Sequence, residues 1–214
     1  MLEAADYVGG RIKTIRRGDF IFDIGAFIYL GSYQQSIDLM REVGLSGAMD
    51  RFPAYGAMPR HGTLNFLDFS KPLRTVLGTG YLSMGAKLKL LKLLRLLLRH
   101  WGDLNYDDAT GIAGIDVDSV QSYAERELSP ELLEYVAAVV VRGPWLANPR
   151  EASVAQLLWT MKNFFKPYFY GLDQGMDALP RALAAALDVR LNSPVDRVVD
   201  HGDAVELSWQ ASMP

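Results

Sequence analysis

Near the N-terminus, Glu3, Ala4, Asp6, Gly9, Gly10, Arg11 and Thr14 set an acid, a double glycine and a guanidinium within one short stretch. A Gly-Gly pair turns the backbone tightly and lets it approach a ligand with no Cβ in the way. Arg11 adds a rigid fork of donors suited to a diphosphate or to nearby carbonyls. The plain alternative is a surface ion pair between Glu3 and Arg11 beside a turn. Other chemistries are poorly served. The chain has no cysteine, which removes thiolate metal sites, iron–sulfur clusters, disulfides and Cys nucleophiles together. His61, His100 and His201 are scattered, and none has a metal-ligating neighbour at i+4. No G-x-S-x-G nucleophile elbow is present.

Two further patterns imitate ligand sites. Gly78-Thr79-Gly80-Tyr81-Leu82-Ser83 follows the apolar Val76-Leu77 and resembles the opening of a G-x-G-x-x-G phosphate loop, with Ser at the third glycine. The helix after it runs into the polar Gly102–Asp108 stretch instead of feeding a parallel strand, so a Gly-rich loop leading into a helix is the better reading. Asp103, Asn105, Asp107 and Asp108, with Asp116 and Asp118 beyond, suggest a calcium loop. Such a loop needs Gly at its sixth place and Glu at its twelfth. Counted from Asp103 those places hold Asp108 and Gly114, so the cluster reads as an acidic surface loop and no metal site is expected.

The elements that would position these residues follow from periodicity and breakers. Arg11–Ile15 alternates as a strand, Arg17-Gly18-Asp19 is a turn, and Phe20–Ile24 is a second strand running into Gly25. Tyr33–Val43 has helical spacing and stops at Gly44. Pro and Gly break up residues 46–60, and from there to Tyr170 helix patterns dominate: Ser83–Trp101, Ser119–Leu128, Pro130–Val141 and Ser153–Phe165, punctuated by Pro144, Pro149 and Pro167. Met176–Leu187 is another helix, followed by strands at 188–191, 195–199 and 204–209. Strand-rich ends around a helical middle predict one mixed α/β domain interrupted by a helical insertion.

Composition sets the outer bounds. Of 214 residues 50% are hydrophobic, enough to bury a substantial core, and 22 Lys+Arg against 25 Asp+Glu leave a net charge of −3. That balance predicts no nucleic-acid partner. The N-terminus lacks the basic and apolar regions of a secretory signal, and Leu88–Leu98 is interrupted by Lys89, Lys92 and Arg95, so no membrane span is expected. A cytoplasmic protein is the expectation, with peripheral membrane contact through Lys87–His100 as an additional one. At 100° per residue Leu90, Leu93, Leu94 and Leu97 share a face extended by Leu91 and Leu98, with Lys92, Arg95 and Arg99 opposite. A basic amphipathic helix of this kind lies on an anionic surface or docks on a core.

The N-terminal constellation resembles the segment after the Rossmann βαβ unit in FAD-dependent oxidoreductases of the amine oxidase, protoporphyrinogen oxidase and phytoene desaturase group, roughly E-A-x-D-x-x-G-G-R-x-x-T. Gly171, Gly175-Met176-Asp177-Ala178-Leu179-Pro180, Leu183, Pro194-Val195 and Val198 resemble that group's return to the FAD domain, with Gln174 standing where the group usually has Gly. The resemblance implies a partial FAD/NAD(P)-binding Rossmann-type domain at 1–48 and 171–214 around a mainly helical substrate domain at 49–170. It also implies FAD as cofactor and hydride transfer from a C–H or N–H substrate to the flavin. Glu3, at the end of the second Rossmann strand, would take the ribose hydroxyls. Ala4, Gly10 and Arg11 would border the cofactor, Gly25, Ala26, Phe27 and Ile28 would run past the flavin, and Val195 would meet the adenine through its backbone.

A phosphate fingerprint precedes its ribose acid by ~20 residues, and here that acid is residue 3. The expectation is therefore a truncated protein, without the G-x-G-x-x-G unit and the C-terminal FAD segment, and of doubtful activity alone. The segment that in amine oxidases carries a lysine near flavin N5 has no counterpart, so no catalytic residue is assigned. The alternatives are a non-catalytic fragment or binding module built on the basic helix, and a separate nucleotide fold starting at Gly78. Trp145, Trp159, Phe164, Phe165, Tyr168 and Tyr170 would suit a flat or apolar small-molecule substrate, although plain core is the commoner use of such a run.

Overall fold

The computed structural model describes residues 1–105, 110–166 and 168–209. In chain order the elements are β1 (Ile12–Arg17), β2 (Phe20–Gly25), β3 (Tyr29–Leu30), α1 (Gln34–Glu42), β4 (Met49–Pro53), β5 (Tyr55–Arg60), β6 (Thr63–Asp68), α2 (Pro72–Gly78) and α3 (Met84–Arg99). They continue with α4 (Val120–Glu127), α5 (Pro130–Leu132), a π-helical turn Leu133–Ala137, α6 (Ala138–Trp145), α7 (Val154–Asn163), β7 (Tyr168–Leu172), α8 (Ala178–Ala185), β8 (Val195–Asp200) and β9 (Val205–Trp209). The chain is thus a mixed helix and strand protein with small sheets. It divides into two compact units, Met1–Phe52 with Phe169–Pro214, and Pro53–Tyr168. The sequence reading puts these boundaries at 48/49 and 170/171.

The first unit is built on short sheets and two helices. β1 and β2 pair antiparallel from Ile12↔Gly25 to Arg17↔Phe20, across a turn that Gly18 makes at φ +57°. β3, β7 and β4 form a three-stranded sheet with β7 in the centre. Ile37 and Met40 on α1 bury against Tyr29, Leu172, Met176 and Leu179, and Gly44 ends the helix at φ +81°. The chain start pairs in parallel with residues 188–190: Arg190 N donates to Met1 O at 2.9 Å and Glu3 N to Arg190 O at 2.9 Å. The strand expected at 188–191 is therefore a single bridge, Leu2↔Arg190.

The second unit is helical around Leu90, Leu93, Leu97, Val120, Leu132, Val141, Leu157 and Leu158. Serines cap its helices: Ser83, Ser119, Ser129 and Ser153 accept from the backbone N–H of Ala86, Ser122, Leu132 and Ala155. Such a cap satisfies one of the donors a helix start leaves open. The expectation of irregular chain over residues 46–60 is corrected by β4 and by the β5–β6 hairpin. A two-residue turn closes that hairpin, with His61 at φ +51° and Gly62 at φ +73°, the left-handed pair that matches strand twist. Gly56 and Pro59, which look like breakers, fit a two-stranded ribbon. A Cβ at Gly56 would lie 3.2 Å from the Phe69 ring, and Pro59 has only one paired neighbour strand.

The helix expected at 130–141 is broken by the π turn and then runs through Pro144 to Trp145, ending at Leu146 with φ +53°. Pro144 therefore does not stop it. Leu91 and Leu98 do not extend the buried face of α3, because they sit about a quarter turn off the Leu90–Leu97 line and stand exposed. Pro167, Asp107 and Asp108 lie outside the described residues.

Candidate functional site

The site begins as a hairpin locked to a helix start. Thr14 Oγ1 donates to Asp23 Oδ1 at 2.6 Å across the β1–β2 pair, and accepts from Asp177 N at 3.1 Å. Asp23 Oδ1 also accepts from Met176 N at 2.9 Å. Arg16 clamps Asp177 bidentately, at 2.9 and 2.7 Å, and donates to Gln174 O as well. The Arg16 hydrogen bond holds the Asp177 carboxyl below its ordinary range, and the carboxylate raises the guanidinium further. Gly175 makes the fit possible: at φ +91°, a Cβ there would stand 2.3 Å from Thr14 Cγ2. Gln174 stands exposed with its backbone making the contact, which explains why a larger residue is accepted there.

This lock positions the expected cofactor residues. Gly9 turns the chain at φ +106° so tightly that a Cβ would meet Ile12 O at 2.6 Å. Gly25 lies against Arg11, where a Cβ would meet the Arg11 carbonyl oxygen at 2.3 Å, and Ala26 N donates to that oxygen at 3.2 Å. Arg11 is thus fixed by its backbone to the start of the Gly25–Ile28 stretch, while its side chain stays exposed. Glu3 is held at the end of the parallel bridge, and its Oε1 accepts from Ala5 N at 2.8 Å. Among the described residues Glu3 and Arg11 form no ion pair, so the bland reading of that pair fails. Val195 opens β8, paired to Trp209 beside an irregularity in register.

All nine expected residues, Glu3, Ala4, Gly10, Arg11, Gly25, Ala26, Phe27, Ile28 and Val195, belong to the first unit. A cleft of about 490 Å3 in the same unit is walled by Tyr7, Val8, Lys13, Arg181, Leu187 and Leu191, and none of the nine lines it. Seven of the nine are exposed, Phe27 at 63%, while Glu3 and Ile28 are half-buried. Thr14, Asp23 and Asp177 lock the hairpin to the start of α8. The sequence marked Thr14 and Asp177 as motif positions but not this contact, and did not single out the Asp23 carboxylate. No local pattern could have shown the lock, because the contacts of Thr14 and Arg16 with Asp177 span more than 150 residues.

The other candidates resolve differently. Val76 and Leu77 end a helix, not a strand, and Glu131 occupies the start of α3 that a phosphate would need: Ser83 N donates to it at 2.8 Å, and the Ser83 hydroxyl donates too. With Arg60 at 2.6 Å, these bonds hold the Glu131 pKa down to about 2. Asp118 pairs with Arg126 at 2.6 Å and Asp103 with His100 at 3.0 Å. No metal-holding cluster of three His, Asp or Glu occurs among the described residues. The aromatic run forms separate pairs: Trp145 with Trp159, Phe164 with Phe69 and Phe165 with Trp101. Tyr170 belongs to the first unit.

Solved oxidases share this fold. Putrescine oxidase bound to putrescine superposes with a TM-score of 0.74 at 17% identity, over 97% of this chain and 48% of its own. Cyclohexylamine oxidase from Brevibacterium oxydans IH-35A gives 0.73 at 18%, over 99% and 49%. A protein assigned as a protoporphyrinogen oxidase from Exiguobacterium sp. 255-15 gives 0.61 at 19%, over 97% and 49%. The chain therefore spans about half the length of these structures. A Drosophila melanogaster protein described as a possible lysine-specific histone demethylase 1 is 36% identical over 63 residues, 29% of this chain and 7% of that protein. The family model for flavin containing amine oxidoreductases matches residues 1–212, and the chain belongs to that family.

Proposed function

We propose that the chain forms part of an FAD-dependent oxidoreductase in which its first unit, a partial Rossmann-type domain, carries one edge of the cofactor site. The observations that support this reading are the parallel bridge of Leu2 with Arg190, which fixes the backbone at Glu3, and the Thr14–Asp23–Asp177 lock on the strand that follows the Gly-Gly-Arg turn. The donor set fits. Glu3 Oε2 and the Arg11 guanidinium have no partner among the described residues, and the Cβ position of Gly10 faces open space. Glu3 would accept the ribose hydroxyls, Arg11 would serve the diphosphate, Ala4 and Gly10 would border it, and Val195 would offer backbone groups to the adenine. Gly25, Ala26, Phe27 and Ile28 would keep the path beside the ring system narrow. When bound, the flavin supplies a two-electron acceptor for hydride from a C–H or N–H bond. The substrate class that suits the aromatic second unit is a flat or apolar small molecule.

Titration of the purified chain with FAD, read by flavin fluorescence quenching, tests the edge. Saturable binding that weakens at least tenfold in Glu3→Gln and in Arg11→Ala is expected. A folded chain that retains no flavin after incubation and desalting would overturn the assignment.

A further inference from the structure

The stripe that α3 turns away from its core matches none of the cofactor chemistry. Ala86, Leu90, Leu93 and Leu97 bury, which satisfies one face of the helix. Met84, Leu88, Leu91 and Leu98 then stand between 60 and 68% exposed. Their spacing, with Arg95 completing it, is four, three, four and three residues, so they fall on a single line along the helix. Leu77, 72% exposed at the end of α2, adds an apolar side chain near the start of α3, where Lys87 Nζ bonds its carbonyl oxygen at 2.9 Å and that of Thr79 at 2.8 Å. An amphipathic helix docked on a core leaves a polar outer face. This one leaves leucines.

Charge decides what covers them. The helix carries Lys87, Lys89, Lys92, Arg95 and Arg99 and no carboxylate. Lys87 and Lys89 are engaged by carbonyl oxygens, and Lys92 lies 3.7 Å from Glu127. Arg95, inside the stripe, and Arg99, at its margin, have no partner among the described residues. A second copy of the same helix would bring like charges together along the seam. An anionic bilayer supplies both lacking partners, acyl chains for the leucines and phosphates for the guanidinium groups.

We propose that α3, with Leu77, is a peripheral docking face for an anionic lipid surface, the helix lying in the plane of the headgroups. The contact is independent of whether the first unit binds flavin. The full chain should float with vesicles of equal parts phosphatidylglycerol and phosphatidylcholine and not with phosphatidylcholine alone. Removing both free cations, Arg95→Gln with Arg99→Gln, should weaken partitioning roughly fivefold per charge, on the order of 25-fold together.

The absence of native cysteines allows a second reading. An environment-sensitive dye on a Leu91→Cys variant should brighten on anionic vesicles, while the same dye on Glu151→Cys should not. Failure to float, equal flotation on both lipids, or flotation unchanged by the paired arginine substitutions would overturn the proposal. Brightening of the Leu91→Cys label with protein concentration in the absence of lipid would also overturn it, and would assign the stripe to a second copy.

Discussion

Gly175 and Glu131 show how single residues set this structure. A Cβ at Gly175 meets two penalties: the left-handed φ of +91°, and Thr14, which cannot retreat because Asp23 and Asp177 hold its hydroxyl. Gly202 has nearly the same φ, +89°, but nothing near its Cβ position. Gly202→Ala should therefore cost ~1–2 kcal/mol from the backbone alone. Gly175→Ala should add ~1–3 kcal/mol of overpacking, seen as a clearly lower Tm in urea or heat. Glu131 predicts a pH dependence. Its folded pKa, about 2, lies below the ordinary 4.5, so its contribution is complete above pH 4.5 and lost as pH falls toward 2. Glu131→Gln should destabilise the chain at neutral pH and flatten the fall in Tm across that acid window. An unchanged acid limb would show that the Arg60 and Ser83 contacts are not formed in solution.

At the scale of elements, the helices of the second unit depend on their first turns. α3 and α4 are each started by a serine, but the Ser83 hydroxyl also ties α3 to Glu131 on α5, whereas among the described residues the Ser119 hydroxyl bonds Ser122 alone. Ser119→Ala should cost ~1 kcal/mol, the ordinary value of a cap. Ser83→Ala should exceed it, because the one hydroxyl both caps Ala86 N and donates to the Glu131 carboxylate, which then keeps only the Ser83 backbone N–H of that pair. Chemical denaturation of the two variants side by side checks the order. The β5–β6 hairpin makes a related point about faces. Met58 and Leu67 pack on the core, while Tyr55, Leu64 and Phe66 on the opposite face are 53 to 76% exposed.

At the scale of the molecule, the chain carries two compact units with separate cores, and the expected cofactor edge belongs wholly to one of them. A ligand that binds the native state alone stabilises it by RT ln(1 + [L]/Kd), ~2.7 kcal/mol at a hundredfold excess over Kd. FAD should accordingly raise the Tm of the transition belonging to the first unit. The shift should vanish in Arg11→Ala, with the second unit's transition unmoved. A uniform shift of every transition would place the site elsewhere. No helix among the described residues is long and apolar enough to cross a membrane.

Much of this was legible before any coordinates. The 2.0 and 3.6 periodicities, the serines before apolar runs and the glycines after them locate β1, β2, α1, α3, α4, α7 and the closing hairpin, because those signals act over a few residues. The Glu-Ala-x-Asp and Gly-Gly-Arg spacing carried the family for the same reason. Tertiary structure decided the rest. Gly56 and Pro59 looked like breakers until a paired strand and the Phe69 ring gave them a use, and the loop at Gly78, read as a Gly-rich entry to a helix, turns out to have Glu131 bonded at that helix start. The Thr14–Asp23–Asp177 lock joins residues far apart in sequence, so only folding could reveal it. Likewise α3 reads as one buried face with charges opposite, and only packing shows which leucines the core consumes and which it leaves to the surface.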